Sequence, residues 1–122
     1  MRQLWLDALA LPPYDGPAVW LHGDPHPGNL LVSTGGRLAA VIDFGDICQG
    51  DPATDLAIGW LSLDEPGREA YRVALDPDEQ TWARARGWAV ALTSAFLAHT
   101  DDNPEMRAIG EHAHSQLVGT PP

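Results

Sequence analysis

The pattern of apolar and polar positions divides this chain into a β-leaning part and a helical part. Before residue 52 the apolar runs are short and are separated by Gly, Pro and Asp, whereas later apolar residues recur at helical spacing. Short runs bounded by turn residues are typical of strands, and apolar residues every three to four positions are typical of helices. The pattern predicts an α+β fold that is mostly helical and contains one small β-hairpin.

The hairpin is predicted around a Gly-rich turn. Residues 30–32 and 38–42 are β-leaning runs on either side of a Ser-Thr-Gly-Gly-Arg stretch, in which we place the centre of the turn at Gly36. Asn29 and Asp43 each lie seven residues from Gly36. Because residues equidistant from a turn face each other in an antiparallel pair, with Cα atoms about 5 Å apart, Asn29 and Asp43 are predicted to be opposite each other.

Helices are predicted over five stretches, each marked by start and stop signals or by apolar spacing. They cover residues 3–11, ended by Pro12 and Pro13; residues 52–63, apolar almost all round and therefore buried; residues 67–75; a long helix to about His99; and a last helix from 101–104 to before Gly119. Asp76 is predicted to be the N-cap of the long helix, with Pro77 at its first position and Glu79 three residues after the cap. The stripe predicted to face the core consists of Trp82, Ala85, Ala89, Leu92 and Phe96.

The composition is that of an ordinary globular protein with a lopsided charge. The 122 residues, 44% of them apolar, are enough for one domain spanning residues 1–122. There are 17 acidic residues and seven basic ones, all arginine, so the chain has no lysine and a formal net charge of −10. A field of this sign repels nucleic acid and anionic membranes, and it attracts a cationic substrate or a metal ion.

A cytoplasmic location is expected from the same composition. The single cysteine, Cys48, excludes an internal disulfide and suits a reducing compartment. Met1 is not followed by the charged and apolar regions of a signal peptide, and no apolar run is long enough to span a bilayer.

The candidate chemistry lies in two polar segments beside the predicted hairpin. The sequence reads His-Gly-Asp-Pro-His-Pro-Gly-Asn over residues 22–29 and Ile-Asp-Phe-Gly-Asp over residues 42–46. Such clusters are by default only turns. However, oxygens from Asn29 and Asp43 at the open end of a hairpin suit Mg²⁺, which takes few protein ligands and completes its octahedron with phosphate and water. A carboxylate beside them, that of Asp24, suits a base for an attacking hydroxyl.

These motifs resemble the aminoglycoside phosphotransferase family. Residues 22–29 match the family's catalytic loop, H-G-D-x-x-x-x-N, and residues 42–46 look like its metal-binding segment, the counterpart of D-F-G in protein kinases. Residues 50–57, Gly-Asp-Pro-Ala-Thr-Asp-Leu-Ala, are similar to the next segment of the family's sequences. The likeness runs from Trp20 to residue 96 and implies the C-terminal lobe of a protein-kinase-like fold.

The resemblance implies a chemical role for three residues. Asp24 would be the catalytic base, and Asn29 and Asp43 would be the ligands of Mg²⁺. ATP, or another nucleoside triphosphate, would be the co-substrate, and a hydroxyl group of a small molecule would accept the γ-phosphoryl group. A cationic acceptor such as an aminoglycoside, whose phosphorylation confers antibiotic resistance, is compatible with the acidic chain.

Four more residues are implied as supports of the loop or as contacts of the ligands. His22 would hold the loop structurally, and Asp55, on the predicted buried helix, would be its anchor. An unpaired buried carboxylate is costly, so Asp55 needs a hydrogen-bond partner under any interpretation. His26 is a candidate contact of phosphate or substrate. Asp46 either supports the metal ligands or is a solvated turn acid.

The resemblance also implies an N-terminal nucleotide lobe that these residues do not contain. That lobe supplies a lysine for the α/β-phosphates and a strand pair that covers them, but the chain has no lysine, no G-x-G-x-x-G and only 21 residues before His22. We therefore expect a truncated phosphotransferase, inactive without a nucleotide lobe. Apolar surface left exposed would lead to self-association or to pairing with the missing lobe.

Two other functions stay open from the sequence. One is a non-catalytic remnant of a kinase lobe that folds and acts as an interaction module. Retention of the three chemical residues, Asp24, Asn29 and Asp43, argues mildly against a long loss of activity. Residues 23–26, Gly-Asp-Pro-His, also mimic the G-D-x-H motif of metallophosphoesterases. That class needs further His and Asn-His ligands downstream, and the sequence lacks them.

Overall fold

Helices dominate the computed structural model, which describes residues 1–119, and the strands are short. In chain order the elements are α1 (Arg2–Leu9), β1 (Val19–Leu21), β2 (Leu30–Val32), β3 (Leu38–Val41), β4 (Cys48–Gly50), α2 (Ala53–Leu56), α3 (Ile58–Ser62), α4 (Glu65–Leu75), α5 (Glu79–His99) and α6 (Pro104–Val118). A 3₁₀ turn, Pro27–Asn29, precedes β2. The expectation of a mostly helical α+β chain is confirmed.

The predicted helix over residues 52–63 is divided in two. The backbone N–H of Trp60 donates to the carbonyl of Ala57 at 3.0 Å, a bond to the third rather than the fourth preceding residue. This tighter turn separates α2 from α3 and rotates the faces that they present. Ala53, Trp60 and Leu61 are nevertheless buried, so the predicted burial of this stretch is confirmed.

The start of α5 lies two residues later than the sequence predicts. The carboxylate of Asp78 accepts the backbone N–H of Thr81 at 2.8 Å, which makes Asp78 the N-cap. Asp76 instead ends α4: its φ is +46°, in the left-handed region, and its N–H donates to the carbonyl of Arg72. Asp76 was wrongly predicted as the cap because both acids precede good helix formers, and only the end of α4 distinguishes them.

The core is built mainly from small residues, so that helices approach closely. α5 packs against α1, α2 and α6, and α3 packs against α6. The buried cluster consists of Ala53, Ala57, Trp60, Ala85, Ala89, Val90 and Leu117. At the contact of α1 with α5, a Cβ added to Gly87 would lie 2.5 Å from the Cβ of Ala8. The absence of a side chain at Gly87 therefore sets the separation of these two helices.

The hairpin is present, but its register differs from the predicted one. Ser33 N–H donates to the carbonyl of Arg37 at 2.8 Å, so the turn is centred on Gly35 rather than Gly36. In the antiparallel β2–β3 ladder Leu31 pairs with Ala40 and Val32 with Leu38, which leaves Ala39 as a bulge. The turn centre at Gly35 and the bulge at Ala39 each change which residues of the two strands face each other. Consequently, Asn29 is opposite Ile42, whose N–H donates to the Asn29 carbonyl at 3.0 Å, and the predicted pairing of Asn29 with Asp43 is wrong.

A second two-stranded sheet joins the segments on either side of the hairpin. β1 and β4 are antiparallel, with Val19 opposite Gly50 and Leu21 opposite Cys48. The prediction of a single hairpin missed this sheet, because residues 48–50 carry no β-branched residue and pair with a strand far away in sequence. The second sheet brings the two ends of the segment between residues 21 and 48 together.

Large apolar side chains remain exposed on and around these strands. Trp20 is 71% exposed, and Val32, Leu38, Phe44 and Ile47 are each more than half exposed. Within residues 1–119, no helix has the length and apolar character that a membrane crossing requires.

Candidate active site

The polar residues 22–29, here called the motif loop, connect β1 to β2. Gly23 has a φ of +91°, and a Cβ at this position would lie 2.2 Å from the carbonyl oxygen of Asp46. A glycine is therefore required both by the backbone conformation and by the close approach of the segment after β3. This approach places residues 42–46, here called the Asp43 segment, directly against the motif loop.

Asp55, on α2, binds the beginning of the motif loop through two backbone amides. Its Oδ2 accepts the N–H of His22 at 2.6 Å, and its Oδ1 accepts the N–H of Gly23 at 3.1 Å. Charge-assisted bonds of this kind are shorter and stronger than neutral ones. The carboxylate therefore fixes the loop to the helical core immediately before Asp24.

His22 connects the motif loop to the Asp43 segment. Its Nδ1 accepts the backbone N–H of Asp24 at 3.3 Å, and its Nε2 lies 2.7 Å from the carbonyl of Ile42. Both contacts are satisfied by one neutral tautomer, with the proton on Nε2. The ring also packs at a tilt on Phe44, with 4.7 Å between the ring centroids.

Asp24 is accessible from solvent and has His26 as its neighbour. The Asp24 side chain is 45% exposed, whereas that of His26 is 12% exposed. His26 Nδ1 accepts the N–H of Gly28 at 3.1 Å, which leaves Nε2 facing the Asp24 carboxylate, 3.6 Å from Oδ2. The rings of His26 and Phe96, the latter on α5, pack in a T-shaped arrangement with 6.2 Å between their centroids. Asp24 is thus open to a reactant on one side and flanked by an imidazole on the other.

Asn29 is buried at the end of the motif loop, and its side-chain amide bonds to the backbone of that loop. Its Nδ2 donates to the backbone carbonyl of Asp24 at 2.9 Å, and the residue is 6% exposed. Because the amide nitrogen is used in this bond, the amide oxygen is left as the group that can bind a ligand. The bond also couples the positions of Asn29 and Asp24.

One residue, Ile42, separates Asp43 from the end of β3. The backbone of Asp43 has a conformation that L-residues rarely adopt. Its φ is +60°, and its Oδ1 would lie 3.4 Å from a Cβ at Gly45. Strained backbones of this kind cluster at functional sites. Asp43 and Asp46 are both exposed. Asp46 contacts the motif loop through its backbone at Gly23, so its side chain remains without an assigned role.

The motif loop and the Asp43 segment are therefore joined by three connections that sequence spacing does not reveal. They are the His22 imidazole on the Ile42 carbonyl, the Asn29 carbonyl on the Ile42 N–H, and the close contact of Gly23 with Asp46. The packing of Phe44 on His22 and of Phe96 on His26 was likewise not predicted from the sequence. Phe96 was predicted only as part of the core-facing stripe of the long helix, and Phe44 only as a member of the motif around Asp43.

The donor set limits which metal the site can hold. Within residues 1–119, no group of three or more His, Cys, Asp or Glu side chains is arranged to hold a metal ion. Zn²⁺ is usually held by such groups, whereas Mg²⁺ and Ca²⁺ prefer oxygen ligands. One amide oxygen and one carboxylate are instead compatible with Mg²⁺, which is commonly held by one or two carboxylates together with substrate phosphates.

Comparison with known proteins places this sequence in a family. Residues 1–88 match the model of the phosphotransferase enzyme family. No curated protein and no solved structure matches the chain significantly. The matched region contains the whole motif loop, the Asp43 segment and Asp55, and it spans 88 of the 122 residues. The chain therefore belongs to the phosphotransferase enzyme family.

Proposed function

We propose that this chain is the C-terminal lobe of a kinase-like small-molecule phosphotransferase. In the proposed reaction, the γ-phosphoryl group of ATP, or of another nucleoside triphosphate, moves to a substrate hydroxyl. Family membership supports phosphoryl transfer. The observation that carries the proposal is a set of hydrogen bonds: Asp55 accepts the backbone N–H groups of His22 and Gly23, and the His22 ring bonds to the Ile42 carbonyl, so that Asp24 and the Asp43 segment are held in one assembly.

Asp24 is proposed as the catalytic base. Its exposed carboxylate accepts the proton of the acceptor hydroxyl while the hydroxyl oxygen bonds to the γ-phosphorus and the bond to the bridging oxygen of the leaving diphosphate breaks. The bond from Asn29 Nδ2 to the Asp24 carbonyl and the bond from the Asp24 N–H to His22 orient this carboxylate. His26 is proposed to stabilise the Asp24 carboxylate or to contact a phosphate oxygen.

Asn29 and Asp43 are proposed as the protein ligands of Mg²⁺. When bound there, Mg²⁺ would neutralise the charge of the phosphates. Asn29 offers its amide oxygen because its nitrogen is held by Asp24, and Asp43 offers a solvent-facing carboxylate. Asp46, also exposed in the Asp43 segment, is proposed as a support of these ligands.

A separate nucleotide-binding lobe is proposed to complete the site. The chain has no lysine for the α/β-phosphates, and the apolar side chains of Trp20, Phe44 and Ile47 are exposed beside the motif loop. Apolar surface of this kind is suited to cover by another lobe. The net charge of −10 favours a cationic acceptor, of which an aminoglycoside is one chemical class.

The same exposed apolar residues support a second candidate function. A non-catalytic module that binds a partner protein would use this surface and would not need a metal. The two functions are therefore distinguished by whether Asn29 and Asp43 bind a divalent cation.

Paramagnetic broadening by Mn²⁺, which replaces Mg²⁺, tests the proposal in the isolated chain. With Mn²⁺ and ATP present, we expect selective broadening of the NMR amide signals around Asn29 and Asp43, and its loss in Asp43→Asn. Asp101→Asn, which removes an exposed acid between α5 and α6, is the matched control and should keep the broadening. Broadening that is unselective, or that survives Asp43→Asn, would contradict the catalytic proposal and favour the interaction module.

An activity assay tests the need for a nucleotide lobe. With Mg²⁺, ATP and a panel of aminoglycosides, the isolated chain is expected to show no phosphoryl transfer. Turnover that Asp24→Asn abolishes would support Asp24 as the base, and it would show that the proposed second lobe is not required.

A further inference from the structure

A cleft of about 560 Å³ lies between the β2–β3 hairpin and helices α3 and α4. We call it the hairpin cleft. Its volume falls within the range of small-molecule sites, about 300–1,000 Å³. The apolar side chains that line it are those of Leu30, Val32, Leu38, Val41, Ile58 and Leu63. Three polar residues, Asp55, Ser62 and Tyr71, also reach its wall.

The Ser62 hydroxyl is the unexplained polar group of this cleft. Its Oγ is buried, and within residues 1–119 it has no hydrogen-bond partner. Buried polar groups are nearly always hydrogen-bonded, because an unmet donor or acceptor costs about 1–3 kcal/mol. Ser62 is the last residue of α3, so rotation about its Cα–Cβ bond can turn the hydroxyl toward the cleft that the residue lines.

Tyr71, which also lines the cleft, is a second residue with a hydroxyl. Burial raises the pKa of Tyr71, and the negative charge of Asp55 raises it further, so the phenol stays protonated at neutral pH and can donate. The hydrogen bonds found among the described residues do not use this hydroxyl. The Asp55 carboxylate, in contrast, is already occupied by the amides of His22 and Gly23.

We propose that the hairpin cleft binds a neutral, mainly apolar small molecule that carries one hydroxyl or carbonyl group. The apolar lining would bury the body of the ligand, and Ser62 or Tyr71 would bind its polar group. An anionic ligand is disfavoured because the lining contains no basic side chain, and a cationic one because the only carboxylate of the lining, Asp55, already binds two backbone amides; a charge removed from water needs a partner. Pro25 and Pro27 of the motif loop also line the cleft, so an occupant would pack on that loop.

This proposal does not depend on phosphoryl transfer, and its test needs neither metal nor nucleotide. Benzyl alcohol and ethylbenzene are suitable probes, because they have nearly the same shape and ethylbenzene has a methyl group where benzyl alcohol has its hydroxyl. In a ¹⁵N-NMR titration of the chain, both should give saturable shifts at Ser62, Leu63 and Leu30. The ratio of their affinities, rather than either value, reports on the hydroxyl contact, since ethylbenzene is the more hydrophobic probe.

Removing one protein hydroxyl should affect the binding of the two probes differently. We expect Ser62→Ala or Tyr71→Phe to lower the affinity for benzyl alcohol about fivefold, the value of one hydrogen bond, and to change the affinity for ethylbenzene by less than about twofold. An equal loss for both probes in both variants would overturn the hydrogen-bond part of the proposal.

Filling the cleft provides the control for location. Val32→Trp, at an exposed position of β2 that lines the cleft, should abolish binding of both probes. Val73→Trp, at an exposed position of α4 outside the cleft, should leave both affinities unchanged. Unsaturable shifts, shifts centred elsewhere, or binding that survives Val32→Trp would overturn the proposal and leave the cleft as surface for a macromolecule.

Discussion

At the scale of single residues, Asp55 determines whether the motif loop has a defined position. It lies outside the reacting groups, yet its two oxygens accept the amides of His22 and Gly23, directly before Asp24. A loop with several glycines and prolines has little secondary structure of its own to hold it. Its position therefore depends on side-chain acceptors provided by the helical core.

Replacing Asp55 should loosen the loop and lower stability together. We expect Asp55→Ala to reduce the free energy of unfolding by about 1–3 kcal/mol, because two partly buried N–H groups lose their acceptor. Asp55→Asn should lose less, since its amide oxygen can still accept one of them. Urea denaturation measures the stability, and the amide shifts of His22 and Gly23 report the loop.

The exposed acid Asp15 provides the control for that substitution. Asp15→Asn removes the same charge at an exposed position and should change the free energy of unfolding by less than about 0.5 kcal/mol. If Asp55→Ala left the His22 and Gly23 amide shifts unchanged, the anchoring role would be refuted.

At the scale of secondary-structure elements, the N-terminus of α5 depends on Asp78. The hydrogen bond from the Thr81 hydroxyl, together with that from the Thr81 backbone N–H, lowers the pKa of Asp78 below its ordinary value of 3.8. A depressed pKa in the folded state contributes stability above the unfolded pKa, and this stability is lost as the pH falls below it. The cap should therefore weaken in acid.

Asp78→Ala should lower the melting temperature at neutral pH, and the difference from the unmodified chain should shrink as the pH falls from about 5 to about 2. Asp76→Gly is the discriminating control, because glycine suits the left-handed conformation at the end of α4 and should not destabilise the protein. A greater loss for Asp76→Gly than for Asp78→Ala would mean that the cap is Asp76 after all. Thermal unfolding monitored by circular dichroism measures both.

The contact between α1 and α5 allows a test in which the sign of one substitution reverses. Gly87→Ala places a methyl group against Ala8, and overpacking of this kind costs about 1–3 kcal/mol. In an Ala8→Gly background the clash is removed, and the better helix propensity of alanine should make Gly87→Ala stabilising by about 1 kcal/mol. A double-mutant cycle from urea denaturation measures this coupling. Equal effects in both backgrounds would mean that α1 moves freely on α5.

The approximate positions of the helices and of the hairpin could be predicted from this sequence, but strand register and the second sheet could not. The stripe containing Ala85 and Ala89 predicted α5, and both residues are fully buried. The hairpin was predicted from its turn residues, but the turn is centred on Gly35 instead of Gly36, which moves the partner of Asn29 from Asp43 to Val41. The bulge at Ala39, which leaves no mark in an apolar run, then moves it to Ile42. Long-range pairings such as β1 with β4 depend on tertiary contacts, which local pattern does not encode. For the same reason, the motifs predicted which residues form the candidate site, but not that the His22 ring connects its two segments.

At the scale of the whole molecule, net charge and exposed apolar area act in opposite directions. Ten excess negative charges keep copies of the chain apart, whereas exposed side chains such as Trp20 and Ile47 favour association. The repulsion is screened by salt, with a Debye length of about 10 Å at 0.1 M, but the hydrophobic attraction is not. The balance should therefore shift toward association as the ionic strength rises.

We accordingly expect the isolated chain to self-associate with increasing concentration, and more strongly at about 0.5 M than at about 0.02 M salt, because screening removes the repulsion. Sedimentation velocity over a concentration series measures this. Trp20→Ser combined with Ile47→Ser should restore the monomer, since both residues lie in the apolar region left open beside the motif loop. Val73→Ser, at an equally exposed position on α4, should not, because association would not use that surface. A chain that stays monomeric at every concentration and salt would mean that its exposed apolar side chains are too scattered to form an interface, and would count equally against the docking of a nucleotide lobe there.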